Sequence, residues 1–180
     1  DIIMLVSNNL SDDSTTLSVV PEMKWGRQGK IYLKDNVIKA ETSGKSWTVN
    51  TTDTPMSVGS EGNQLKLTVA LKSRLGISAN KLLSIAEIER IVNEAEKNHN
   101  SRKEKYGDDN QLYDAIQTVL AWNTIYEPIN DRIITPVSRS WSGGGFVLFE
   151  WDTYFACYML SLDNKALAYA NLIAITKEIT

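Results

Sequence analysis

The feature that most constrains this fold is a single change in the spacing of hydrophobic residues near residue 80. Before it, apolar residues come in short runs or alternate with polar ones, most regularly over residues 65–71. After it, they recur every three or four residues, beginning with Ile85, Ile88 and Ile91. The first spacing is typical of strands and the second of amphipathic helices. A run of strands followed by a run of helices predicts an α+β chain with separate β and α parts.

Residues 1–75 are predicted to form a β-sandwich or part of one, because several short strands are separated by turn residues. Asp35-Asn36 and a Ser-Gly pair at 43–44 supply two of these turns. Trp25 and Trp47 lie in this part, where they either pack inside the sandwich or stack on a sugar. The strands are predicted at residues 2–6, 16–20, 30–34, 37–40, 46–50 and 65–71.

Residues 76–83 are predicted to be a linker and residues 84–180 to be mainly helical. Ser84 and Glu87 have the spacing of a capping box at the start of the first helix. Residues 127–150 are predicted to be a long irregular connection, and such connections are often functional. Helices are then expected from about Thr153 to Leu160 and after a cap at Asp163.

These helices are too few to close a core, and the apolar pattern continues to Thr180 without a stop signal. We therefore expect a piece of a longer protein. Exposed apolar faces favour association, so we expect self-association or a companion chain that supplies the missing helices. The side chains expected to lack partners are Ile116, Val119, Leu172 and Ile173.

Composition excludes several classes of function. The net charge of −3 and the absence of a basic block disfavour nucleic acid and membrane surfaces as partners. Cys157 is the only cysteine and His99 the only histidine, so a disulfide framework, a multi-histidine metal site and a Ser-His-Asp triad are not expected. No cofactor is predicted, although a structural metal in a missing part of the protein stays open. The chain begins at Asp1, so a removed leader would favour a periplasmic or secreted location, with the cytoplasm as the other option.

The most distinctive stretch runs from Gly143 to Phe155. Its glycines allow backbone conformations with positive φ or a close approach to a ligand. Glu150 and Asp152 then bring two carboxylates among aromatic rings, where the irregular chain is expected to enter a helix. Asp152 is either a helix N-cap, which aspartate favours, or a functional carboxylate.

From residue 112 onward four strings of residues resemble glycoside hydrolase family 63, and more narrowly its bacterial α-glucosidase and mannosylglycerate-hydrolase-like members. The resemblance is specific over residues 112–175 and loose over 76–111. Over 1–75 it consists only of the order of domains. The strings are Trp122-Asn123-Thr124-Ile125-Tyr126-Glu127-Pro128, Thr135-Pro136-Val137-Ser138-Arg139-Ser140-Trp141, Leu148-Phe149-Glu150-Trp151-Asp152-Thr153-Tyr154-Phe155 and Leu167-Ala168-Tyr169-Ala170-Asn171.

The resemblance implies a β-sandwich followed by the first helices of an incomplete (α/α)6 toroid. It also implies that Asp152, preceded by Trp151, is the general acid of an enzyme that inverts the anomeric centre of α-linked glucosides or related α-glycosides. An inverting glycosidase needs a second carboxyl group about 6.5–9.5 Å away as general base. In the family this base is a glutamate far downstream, so the 180-residue piece alone is expected to be inactive. Glu150 is the rival candidate for the acid.

An oligosaccharide or glycoside is therefore the expected substrate. The predicted substrate-binding residues are Trp151, Tyr154, Phe155, Trp141 and Arg139, because rings cover the CH faces of sugars and a guanidinium donates to hydroxyl groups. The alternative function is a non-catalytic carbohydrate-binding β module with a helical appendage. A reading frame that continues past Thr180 into a glutamate-bearing toroid would favour the enzyme, and a stop codon there would favour the module.

Overall fold

A computed structural model describes residues 2–7, 15–23, 28–62, 64–141 and 145–178. Among these residues most of the strands come before the helices, so the chain is α+β. The strands are β1 (Ile2–Val6), β2 (Thr16–Val19), β3 (Lys30–Lys34), β4 (Val37–Thr42), β5 (Lys45–Thr51), β6 (Ser57–Glu61), β7 (Gln64–Ala70), β8 (Arg74–Ala79), β9 (Ile125–Glu127) and β10 (Arg132–Ile134). The helices are α1 (Ile85–Lys103), a 3₁₀ helix (Glu104–Asp109), α2 (Asn110–Asn123), α3 (Glu150–Ser161) and α4 (Lys165–Thr176).

The chain divides into two compact units, and the division falls inside α1. The first unit takes in the described residues up to Lys97, and the second takes in those from Asn98 onward. Helix α1 begins at Ile85 and the first unit ends at Lys97, so the boundary between units lies about 12 residues after the start of the helix. The predicted boundary between domains at 76–83 matches the change from strand to helix but not the boundary between the compact units.

The first unit contains two antiparallel sheets. The larger has the strand order β1-β8-β5-β4-β3, and the smaller has the order β2-β7-β6. Ile38 and Leu75 of the larger sheet and Leu67 and Val69 of the smaller one are buried in one hydrophobic cluster. The alternating pattern at 65–71 explains this cluster, because alternate residues of a strand point to the same face.

Two predicted turns form as their sequences indicate. Asp35 and Asn36 have φ of 54° and 59° between β3 and β4, and Ser43 and Gly44 have φ of 49° and 74° between β4 and β5. Positive φ at both central residues is the two-residue hairpin turn that Asn, Asp and Gly favour. These turns fix the register of three neighbouring strands.

The predicted capping box is present at the start of α1. The backbone N–H of Ser84 donates to Glu87 Oε2 at 2.8 Å, and the N–H of Glu87 donates to Ser84 Oγ at 3.3 Å. Ile88, one turn further on, is fully buried. Its side chain lies where a Cβ on Gly76 would be, so glycine at this position of β8 makes room for the helix.

Residues 76–83 are not all linker, and this part of the prediction is wrong. β8 occupies Arg74–Ala79 and pairs with both β1 and β5, so it lies inside the larger sheet. β6 (Ser57–Glu61) was also not predicted. Both strands contain Gly and Ser, which weaken the pattern by which strands are recognised.

The second unit is built mainly from helices. Leu120 of α2, Ala156 and Leu160 of α3, and Ala168 of α4 form a buried cluster. Ile116 packs against this cluster and is partly buried. The prediction that Ile116 lacks a packing partner is therefore wrong. Other side chains on the helices do remain exposed, with Val119 at 59% and Ile173 at 55%. Within the described residues, no helix has the length and apolar character needed to cross a membrane.

Candidate functional site

The start of α3 places Asp152 inside the helix rather than at its cap. Phe149 is the N-cap residue with extended φ and ψ of −80° and 133°, and its side chain makes no capping bond. Its carbonyl accepts the first helical hydrogen bond, from Thr153 N–H at 2.9 Å. Asp152 is therefore the third helical residue, and the reading of Asp152 as an N-cap is wrong. Acidic residues in the first turn still stabilise a helix through its dipole.

Asp152 lies between the buried and the exposed faces of α3. Thr153, Ala156 and Leu160 on one face are buried, whereas Trp151 and Phe155 on the other are 66% and 62% exposed. The carboxylate is half-buried and forms no hydrogen bond or ion pair with any described residue. It is therefore free to interact with a ligand.

Helical geometry separates Asp152 from two residues expected beside it. Residues two apart on an α-helix point about 200° away from each other. Glu150 and Tyr154 both belong to α3, so their side chains leave the helix on the side opposite Asp152. Glu150, the rival candidate for the acid, would share a side with Asp152 only in an extended segment. Phe155 lies three residues after Asp152, about one turn further along the helix.

Two aromatic pairs flank the start of α3. The rings of Trp151 and Phe155 meet edge to face, with centroids 6.1 Å apart. Trp141 and Phe149 meet in the same way at 5.1 Å, and Trp141 is 46% exposed. The N–H of Trp141 donates to the carbonyl of Gly145 at 2.5 Å, and the two residues form an isolated antiparallel β-bridge before the helix. The exposed Trp141 ring is thus open to solvent near the start of α3.

Arg139 lies in the same connection but packs on α2. Its guanidinium carbon is 5.1 Å from the centroid of the Trp122 ring. This is a cation–π geometry, which holds both side chains in place. Trp122 is 69% exposed, so the stacked pair presents a flat surface and guanidinium donors to solvent.

No family model, curated protein or solved structure matches this chain.

Some predicted features lie outside this geometry. Trp25, Gly143 and Gly144 are outside the described residues. His99 Nε2 lies 2.7 Å from Asp114 Oδ1, whose other oxygen accepts from Lys103 at 2.9 Å, so the only histidine belongs to an ion-pair cluster. Among the described residues, no group of three or more His, Cys, Asp or Glu side chains is placed to hold a metal ion.

The connection predicted to be irregular contains a β-hairpin, and the prediction is wrong for that segment. β9 and β10 pair through Ile125–Ile134, Tyr126–Ile133 and Glu127–Arg132. The available signal was the turn sequence Asn130-Asp131 between two β-branched runs. The hairpin shortens the irregular part of the connection, which resumes after Ile134.

A buried carboxylate holds the hairpin together. Glu127 is 3% exposed and accepts hydrogen bonds from Asn130 Nδ2 at 2.7 Å, Arg132 Nε at 3.0 Å and Ile129 N–H at 3.1 Å. Burial raises the pKa of Glu127, but the bonds from Asn130, Arg132 and Ile129 outweigh it, so the pKa lies below its usual value. Sequence reasoning missed this role of Glu127.

A second anchor ties the connection to α4. The backbone N–H of Thr135 donates to Asn171 Oδ1 at 2.6 Å, and Asn171 Nδ2 donates to Leu167 O at 2.9 Å. Thr135 and Asn171 are both 1% exposed. The last helix is capped by Asn164, whose side chain accepts from Leu167 N–H. The predicted cap at Asp163 is therefore one residue early.

The lowered pKa of Glu127 predicts how pH changes the stability of the second unit. A carboxylate whose pKa is lowered on folding stabilises the protein above its unfolded pKa, and this contribution is lost as the pH falls through the folded value. We expect Glu127→Gln to lower the free energy of unfolding by about 2–3 kcal/mol at neutral pH, because hydrogen bonds to a charged group are lost. The difference should shrink below about pH 4.5, where the unfolded carboxylate is protonated.

Urea unfolding at neutral and acidic pH would measure this difference. Glu94→Gln is the matched control, because Glu94 pairs with Arg90 on the exposed surface of α1. It should change the stability by less than about 0.5 kcal/mol at either pH. A stability difference for Glu127→Gln that stays constant or grows on acidification would contradict the assigned role of the charge.

Proposed function

We propose that this chain belongs to an inverting α-glycosidase of the glycoside hydrolase family 63 type, and that Asp152 is its general acid. The observation that carries the proposal is the half-buried, unpaired carboxylate of Asp152 in the first turn of α3, next to the exposed rings of Trp151 and Phe155. A sugar bound by an enzyme commonly lies against such rings, with a carboxyl group at its glycosidic oxygen.

In the proposed reaction, Asp152 donates its proton to the glycosidic oxygen as the bond to the anomeric carbon breaks. The leaving group then departs as a neutral alcohol. The general base is the family's downstream glutamate, which takes a proton from the water that attacks the opposite face of the sugar. One water molecule is consumed, and the products are one sugar with inverted anomeric configuration and one alcohol. Proton exchange with solvent then returns the acid and the base to their starting states.

The aromatic residues have separate roles in this proposal. Trp151 and Phe155 stack on the sugar next to the acid, and Trp141 contributes a ring from the preceding loop. Arg139, stacked on Trp122, donates to sugar hydroxyl groups. Tyr154 has no role in binding the sugar beside Asp152 in this proposal, because its side chain points away from Asp152 on α3.

Each unit has a feature that fits the domains of such an enzyme. The hydrophobic cluster that residues of both antiparallel sheets form supports a β-sandwich. The exposed side chains of Val119 and Ile173 are suited to packing against further helices of an (α/α)6 toroid. These helices would come from the rest of the protein, from a second copy or from a companion chain.

The test of this function is the anomeric configuration of the first product. The complete protein that contains this chain should hydrolyse α-linked glucosides or related α-glycosides, and proton NMR should show the β anomer before mutarotation. An α anomer as the first product would contradict inversion. Failure to cleave any member of a panel of α-glycosides would contradict the glycosidase itself.

A further inference from the structure

A groove between α3 and α4 lies on the side of α3 that carries Tyr154. Its volume is about 410 Å³, which is within the range of small-molecule sites. Three tyrosines line it, Tyr154, Tyr158 and Tyr169, together with Lys165 and small or apolar side chains of the two helices. Asp152 is not part of the lining, so the groove is separate from the proposed catalytic carboxylate.

The tyrosines present both rings and hydroxyl groups to a ligand. Tyr158 and Tyr169 are 70% and 64% exposed. Their hydroxyl groups have no hydrogen-bond partner among the described residues. Exposed tyrosine rings of this kind favour a planar ring as ligand, which stacks offset or edge to face on tyrosine.

Lys165 determines the charge of the ligand. Among the described residues it is the only charged one in the lining, and no carboxylate of this part of the chain pairs with it. It occupies the first position of α4, where a positive charge does not stabilise the helix dipole. The groove is therefore complementary to a single negative charge.

The lining also distinguishes an aromatic ligand from a sugar. Recognition of a sugar uses planar hydrogen-bonding side chains around the edge of the ring. The described residues of the lining include no carboxylate, amide or guanidinium side chain. Ser161 has its hydroxyl engaged with the carbonyl of Tyr158 at 2.6 Å. The recognition elements that remain are the tyrosine rings with their hydroxyl groups and one ammonium group.

We propose that the groove formed by Tyr154, Tyr158, Tyr169 and Lys165 binds a small aromatic carboxylate. The ring lies among the tyrosines and the carboxylate accepts from the Lys165 ammonium, as a charge-assisted hydrogen bond. The site does not depend on the proposed glycosidase activity, since none of its recognition elements is the acid.

Benzoate is the probe that tests this site, and benzamide is its uncharged counterpart of the same shape. Titrations followed by amide shifts in NMR spectra should show saturable changes at α3 and α4, with a dissociation constant on the order of millimolar for so small a ligand. Benzamide and glucuronate should bind about tenfold more weakly, the first for lack of charge and the second for lack of an aromatic ring.

Two variants separate the contributions. Lys165→Met should weaken benzoate binding to the level of benzamide, and Tyr158→Ala should weaken both ligands. Lys177→Met is the matched control, because Lys177 is an exposed lysine at the other end of α4, and it should change neither. Circular dichroism would show that the helices of each variant are intact.

Several results would overturn the proposal. They are equal binding of benzoate and benzamide, binding of glucuronate as tight as that of benzoate, or no saturable shift up to about 20 mM, well above the expected constant. Loss of benzoate binding in Lys177→Met would also contradict it. If the groove signals instead change with protein concentration alone, a second copy covers the groove and the aromatic carboxylate is excluded.

Discussion

Asp152→Asn should reduce the turnover of an unactivated α-glycoside by the complete protein by about 10²–10⁴-fold, the usual contribution of a positioned proton donor. Asparagine has nearly the size of aspartate but no transferable proton. Because the loss concerns the transition state, kcat should fall far more than KM changes. Steady-state kinetics on an alkyl glycoside would measure both constants.

Stability should be almost unaffected by the same change. Asp152 is half-buried and makes no hydrogen bond or ion pair with a described residue, so Asp152→Asn should alter the free energy of unfolding by less than about 0.5 kcal/mol, apart from a small helix-dipole term. Glu150→Gln is the matched control for catalysis. Glu150 lies in the same turn but points away from Asp152, and we expect at most a few-fold change in kcat.

The second large effect is expected for stability at Asn171. Asn171→Ala removes the acceptor of the buried Thr135 N–H and the donor to Leu167 O. The loss should lower the free energy of unfolding by about 2–4 kcal/mol, because a buried donor is left unsatisfied and a small cavity is created. Chemical denaturation followed by tryptophan fluorescence would measure the change.

Lys177→Ala provides the comparison for Asn171. Lys177 is an exposed residue just after α4, and its replacement should change stability by less than about 0.5 kcal/mol. If Asn171→Ala were equally neutral, the contact between Thr135 and α4 would not hold the connection in place. Another contact would then have to hold Thr135 beside α4.

The sequence predicts the fold best where local signals agree. Asp35-Asn36 and the Ser43-Gly44 pair form the expected turns because few other residues accept positive φ. Ser84 and Glu87 form the expected capping box because both partners are close along the chain. These features depend on neighbours within a few residues and not on distant packing.

The missed elements depend on contacts that are distant in sequence. β8 pairs with β1, about 70 residues away in the chain, and its Gly-Ser composition gives little strand signal. The hairpin of β9 and β10 is stabilised by the buried Glu127, whose charge suggests an exposed residue until Arg132 is seen beside it. Neither could be inferred from hydrophobic spacing.

For the candidate site, the sequence motifs point to Asp152 as the proposed acid but do not predict its surroundings. Helix α3 begins at Glu150, three residues earlier than predicted, and acidic residues in the first turn were the signal for this start. The earlier start rotates Glu150 and Tyr154 away from Asp152. It leaves Trp151 and Phe155 as the rings on the exposed face of the helix next to Asp152.

The most direct test of the account compares two leaving groups in Asp152→Asn. A glycosyl fluoride needs little protonation to leave, whereas an alkyl glycoside depends on the acid. If Asp152 is the general acid, the ratio of kcat/KM for the fluoride to that for the alkyl glycoside should rise by about 10²-fold or more in the variant. An unchanged ratio, or near-parental cleavage of the alkyl glycoside, would show that Asp152 is not the acid and make Glu150 the next residue to replace.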